Sequence, residues 1–192
     1  MIFPGATSIR DAGQSVLLTV VTGLAYFLSF RLNQQFDHWT LYAQGISLVF
    51  LPAGVKHLSI LVARGWGALG CFWALMWLSF GFWSDISLPG AAVYSGISTL
   101  ASWLGIRWGM RLLRIERDLR NLQFLHLPAL DLLTTAWHGL VVNLYFLAVG
   151  MKQDQWLSNV LAMMFGDFTG SFIVLTLLWA TLLLVRHSRE DR

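Results

Sequence analysis

Charge is what this chain has least of. Lysine, arginine, aspartate and glutamate make up 12% of its 192 residues, against roughly 25% in an average soluble domain. No polar stretch is long enough to fold as a unit in water. Cysteine is nearly absent: Cys71 stands alone, so no intramolecular disulfide can form. Also missing are a Gly-rich phosphate loop, a cluster of His, Cys and acids at metal spacing, and a nucleophile paired with a base. Those absences predict a non-enzymatic protein with no catalytic residue, no metal and no cofactor. A haem between His57 and His138 is disfavoured because the two fall at different depths of their spans. Nucleic acid is not an expected partner either. The basic excess behind a pI near 9.4 lies in arginines beside apolar runs, which has a simpler meaning in a membrane.

What the chain does have is apolar length. It is 56% hydrophobic with a mean hydropathy of +0.62, which predicts an all-α, polytopic membrane protein: a six-transmembrane-helix bundle forming a single domain over 1–192. The expected spans are approximately 12–30, 41–63, 66–83, 88–106, 128–149 and 156–185, each near the ~20 residues that a hydrocarbon core requires. The first is read as an uncleaved span, being too long for a secretory signal and lacking a small-residue cleavage site. Over 107–125, Trp108, Leu112, Ile115, Leu119 and Leu122 recur at spacings of four and three, with most charges elsewhere on the projection. That pattern predicts an interfacial amphipathic helix. Arg111, Arg114, Arg117 and Arg120 would then face anionic headgroups or a protein partner. A cytoplasmic extension of the fourth span is the alternative.

Orientation follows from the 13 lysines and arginines. Ten (Arg10, Arg64, Arg107, Arg111, Arg114, Arg117, Arg120, Arg186, Arg189 and Arg192) fall on one side of a six-span threading, Arg31 and Lys152 fall on the other, and Lys56 lies within a span. The positive-inside rule then places both termini in the cytoplasm.

Ionisable groups inside spans are costly enough to need a partner or a function. They are Lys56 and His57 in the second span, Asp131 and His138 in the fifth, and Asp167 in the sixth. Depth makes Lys56–Asp131 and His138–Asp167 the expected pairs, either as buried ion pairs or as a ligand site. Pro52 and Gly54 precede the cation and should kink or interrupt the second span. Free N–H groups beyond such a break, with Lys56 and His57, would suit an anion. In the sixth span Gly166 and Gly170 are four apart and predict close helix packing, taken here as intramolecular.

The runs Phe50-Leu51-Pro52-Ala53-Gly54-Val55 and Gly65-Trp66-Gly67-Ala68-Leu69-Gly70, with Gly166-Asp167 and Gly170 in the last span, resemble the MASE1 family of integral membrane sensor domains. The likeness covers about a third of the chain. It implies a sensory or regulatory module of the bacterial inner membrane. Members usually have about eight spans and a fused cytoplasmic effector, so here a signal would pass to a separate protein partner. The alternative function is the small-solute-binding subunit of a membrane transporter, with a small molecule as ligand.

Overall fold

The computed structural model describes residues 9–43, 45–82, 86–123, 125–150 and 155–190. Lys152 and Arg192 of the charge count lie outside them. The described chain is mostly helical, with one small hairpin and an irregular loop between α4 and α5: α1 (Ile9–Gln34), α2 (Asp37–Thr40), β1 (Leu41–Ala43), β2 (Ile46–Ser47), α3 (Leu51–Phe82), α4 (Leu88–Leu112), α5 (His126–Ala148) and α6 (Trp156–Glu190). Within it, four helical stretches are long and apolar enough to cross a membrane: Ala12–Gln34, Leu51–Gly81, His126–Ala148 and Trp156–Thr181. The outer face of α1 is apolar, with Val16, Leu17, Val20, Leu24 and Leu28 all more than half exposed. Such a face belongs in hydrocarbon rather than water.

The second of these stretches is not one straight helix. Arg64 has φ 55° and ψ −126°, a region that L-residues avoid. Beyond it the chain doubles back, so that a Cβ on Gly67 would overlap the Ser59 carbonyl oxygen. Those residues would be ~12 Å apart along a straight helix. α3 is therefore a tight hairpin of two limbs, 51–63 and 65–82.

Two predicted helices are corrected. The second span does not run unbroken from 41 to 63: β1 and β2 pair antiparallel over its first part, Gly45 turns at φ 76°, and helix begins only at Leu51. Pro52 is thus a first-turn residue, where its missing N–H costs nothing, rather than a kink within a helix. The first limb spans only ~20 Å. The extended segment before it packs against α6, with Phe50 N donating to Gly166 O at 3.0 Å. Gly166 and Gly170 allow this approach: side chains there would overlap the carbonyl oxygens of Ser47 and Phe50. The contact is intramolecular, and its partner is extended backbone rather than another helix.

The amphipathic helix over 107–125 does not form either. α4 continues to Leu112 and ends in a Schellman arrangement, with Ile115 N donating to Met110 O at 2.7 Å and Arg114 N to Arg111 O at 3.2 Å. Arg114 has φ 55° and Leu119 φ 62°, and two left-handed residues end any continuous helix. The loop is closed by Asn121, whose amide donates to Arg114 O and accepts from Glu116 N, both at 2.8 Å. Its apolar residues still turn inward: Ile115 is buried with Ile60, Leu61, Ile106 and Leu130, and Leu119 and Leu122 pack on them. Arg64 donates to Arg117 O at 2.9 Å, so the α3 hairpin and this loop share one end of the bundle.

α4 starts on Ser87, whose hydroxyl accepts from Gly90 N at 3.3 Å, with Pro89 in the first turn. Its small residues at Gly105 and Gly109 abut Thr134 and Leu130 of α5. The other helices close around α3, with α1, α4 and α6 all against it and α5 between α4 and α6. That central position puts Lys56 and His57 in the middle of the bundle.

Candidate functional site

The first limb of α3 presents two adjacent residues to different neighbours, because successive side chains on a helix point ~100° apart. Lys56 is 1% exposed and His57 8%. His57 Nδ1 lies 2.6 Å from Asp131 Oδ1 on α5. Two turns along α5, His138 Nδ1 lies 2.7 Å from Asp167 Oδ2 on α6. Asp167 stands between Gly166 and Gly170, the residues that bring α6 against 47–50, so the packing that seats the helix also fixes the carboxylate.

Lys56 departs from the expected pairing. Its Nζ reaches His138 Nε2 at 3.1 Å and Ser98 Oγ at 3.2 Å rather than Asp131, and Ser98 Oγ is itself 2.9 Å from His138 Nε2. The result is a chain of contacts from Lys56 through His138 to Asp167. With the Nδ1 proton donated to the carboxylate, Nε2 has one lone pair to offer. The Lys56 ammonium and the Ser98 hydroxyl compete for it, and Lys56 also donates to Ser98 Oγ. Ser98, His138 and Asp167 have the order of an acyl-transfer triad, with a cation added at the base. All four groups are buried, where an unpaired charge would be very costly.

This group floors a cleft of about 70 Å³, whose walls include Tyr26, Leu75, Tyr94 and Met163 and whose upper lining is Asp37, Leu41, Gly45 and Ser47. The cleft therefore runs from the hairpin end of the bundle down to Lys56. Asn33 holds its rim: its amide donates to Asp37 Oδ1 at 2.9 Å and its carbonyl accepts from Leu51 N at 2.8 Å. Burial raises the Asp37 carboxyl above the ordinary aspartate value, and the bond from Asn33 opposes the shift. Asn33 also occupies the first N–H of α3, Pro52 has none, and Ala53 N donates to Phe50 O. The N–H groups of Leu51 and Ala53, at the start of this helix, are thus taken. Gly54 has a packing role, since a Cβ there would press on Ser171 Cα and Val174.

The His57–Asp131 pair lines a separate cavity of about 30 Å³ towards the opposite end, with Leu61, Ile106, Leu127 and Leu130. His57 Nε2, Asp131 Oδ2 and Ser171 Oγ are buried there without a hydrogen-bond partner among the described residues. The structure thus brings together Lys56, His138 and Asp167 in one group and His57 with Asp131 in another. Arg111, Arg114, Arg117 and Arg120 are exposed and line neither cavity, and Arg120 pairs with Asp118 at 2.9 Å. Sequence reasoning missed Ser98 and Asn33. The run Ser95, Ser98 and Ser102, all buried on one face of α4, was a signal for the first. Among the described residues no group of three or more His, Cys, Asp or Glu is placed to hold a metal ion. No protein-family model matches this chain, and comparison with curated proteins and with solved structures finds none similar to it.

Proposed function

We propose that this protein is a non-enzymatic sensory module of the bacterial inner membrane that takes a small polar solute into the cleft above Lys56. The observation that carries the reading is the buried group of Lys56, Ser98, His138 and Asp167 at the floor of a cleft lined up to its rim. A packed bundle needs no such group for stability, because well-packed apolar residues serve as well or better. A solute with an acceptor would draw Lys56 Nζ off His138 Nε2 and leave that nitrogen to the Ser98 hydroxyl, rearranging contacts among α3, α4 and α5. Lys56 sharing Nε2 also argues for ligand holding over hydrolysis, since the serine proton has a competitor for its base.

The threading is six crossings with both termini cytoplasmic. Counting the limbs of α3 separately and adding α4 to the apolar stretches supports that number. The bond from Arg64 to Arg117 O supports it too, gathering arginine-bearing turns at one end. The MASE1 resemblance supplies the sensory class, and the exposed Arg114 and Arg117 would meet a cytoplasmic protein partner. A second reading, the solute-binding subunit of a transporter, is favoured by one observation: the two cavities reach Lys56 and His57, adjacent residues, from opposite ends.

Gentle extraction from native membrane with mass spectrometry of co-released molecules tests the proposal. The wild-type protein should carry a small polar molecule that Lys56→Met loses while remaining folded. If both proteins come out bare of small molecules, the cleft is not a solute site.

A further inference from the structure

A third cavity lies on the outside of the bundle, between α4 and α5, and differs in kind from the other two. It is a groove of about 510 Å³ lined by Trp103, Leu104, Arg107, Trp108, Arg111 and Trp137. Arg107 and Arg111 are one turn apart and so share a face of α4. The Arg107 guanidinium lies over the Trp103 ring, 5.2 Å from its centroid, and Trp108 and Trp137 approach at 6.5 Å across the two helices. No acidic side chain lines the groove, and among the described residues neither arginine has an ion-pair partner. From these residues we infer a binding site for an anionic phospholipid, its phosphate between Arg107 and Arg111 and an acyl chain running past Leu104 and Trp137.

Depth fits that ligand. Arg111 is in the last turn of α4, and Arg107 is ~6 Å further in, the zone where headgroups meet tryptophan rings. One and two turns deeper, Leu104 and Leu100 are about half exposed, at 47% and 55%, and present the surface an acyl chain would cover. Guanidinium groups bind phosphate through paired N–H donors, and two uncompensated cations favour a headgroup that carries no cation of its own. A choline lipid brings a positive charge to a groove already holding two, and the Trp103 face that could receive it is occupied by Arg107. Basic pockets beside membrane helices commonly hold anionic headgroups in this way.

The test is native mass spectrometry of the full chain, exchanged into phosphatidylglycerol or phosphatidylcholine at matched amounts. Phosphatidylglycerol should be retained preferentially, and an Arg107→Gln/Arg111→Gln variant should lower that retention roughly tenfold or more, as expected for two basic residues at an anionic surface. Equal retention of both lipids by the wild type would overturn the inference. So would an unchanged preference in the variant, or an equal loss in an Arg117→Gln/Arg120→Gln control, which would assign the effect to diffuse charge. Millimolar inorganic phosphate should not displace the lipid; displacement would show a phosphate site without a lipid requirement and would also overturn it. Both arginines face outward, and unchanged helical circular dichroism separates lost binding from lost folding.

Discussion

Two His–Asp pairs of nearly equal length, 2.6 Å and 2.7 Å, sit in the same bundle and have different surroundings. Beyond His138–Asp167, the outer imidazole nitrogen meets a cation and a hydroxyl, and the group floors a cleft. Beyond His57–Asp131, Nε2 and Oδ2 meet no partner among the described residues, and leucines close around them. A buried pair thus does not declare its role by its own geometry; what lies on its far side decides. A fully connected group can exchange one partner for a ligand, whereas an isolated pair mainly fixes which helices touch.

The largest expected effect tests that asymmetry. Asp167→Ala strands Lys56 as a buried cation without its counter-charge and should destabilise by about 3–5 kcal/mol. Asp131→Ala, which leaves only an imidazole able to stay neutral, should cost about 1–3 kcal/mol. Unfolding of both variants in mixed micelles measures the difference, and equal costs would break the comparison. Next come the glycines. Near Asp167 a Cβ on Gly170 meets backbone, whereas near Asp131 a Cβ on Gly109 meets the tip of Leu130. Gly170→Ala should therefore lose about 1–3 kcal/mol, and Gly109→Ala less than about 1 kcal/mol, in the same assay. Asn33→Ala removes the cap on α3 at the cleft rim and should cost about 1 kcal/mol, with no effect on the His57 cavity. Smallest is Arg114→Gly, at an exposed residue that lines neither cavity. Relief of its left-handed backbone should leave stability within about 1 kcal/mol of wild type, on the favourable side, and any loss of solute there would mean the effects are not local.

Much of this arrangement was legible in the sequence, and the misreadings have physical causes. The ionisable residues within the spans were identifiable because such groups are expensive in hydrocarbon. Their partners were not all identifiable: Lys56 has a four-carbon stem, so the depth of its Cα does not fix the depth of its Nζ, and the adjacent His57 took the acid assigned to it. Pro52 is compatible with a kink or a helix start, and the apolar residues Leu41, Tyr42, Ile46, Leu48 and Val49 favoured the kink. Gly45 was the contrary signal. In the loop after α4, periodicity correctly marked Ile115, Leu119 and Leu122 as inward-facing, yet burial by an irregular loop produces the same marks as burial by a helix. Only the left-handed Arg114 and Leu119 separate the two, and neither residue type announces that conformation. Ser98 was hidden because serine on a small-residue face reads as packing.

The most direct test of the central claim is solute retention in three proteins compared side by side: wild type, Lys56→Met and Asp131→Asn. The account predicts that the molecule released with the wild type stays with Asp131→Asn and is lost from Lys56→Met. Equal loss from both variants would contradict it, because the two pairs would then act as one site.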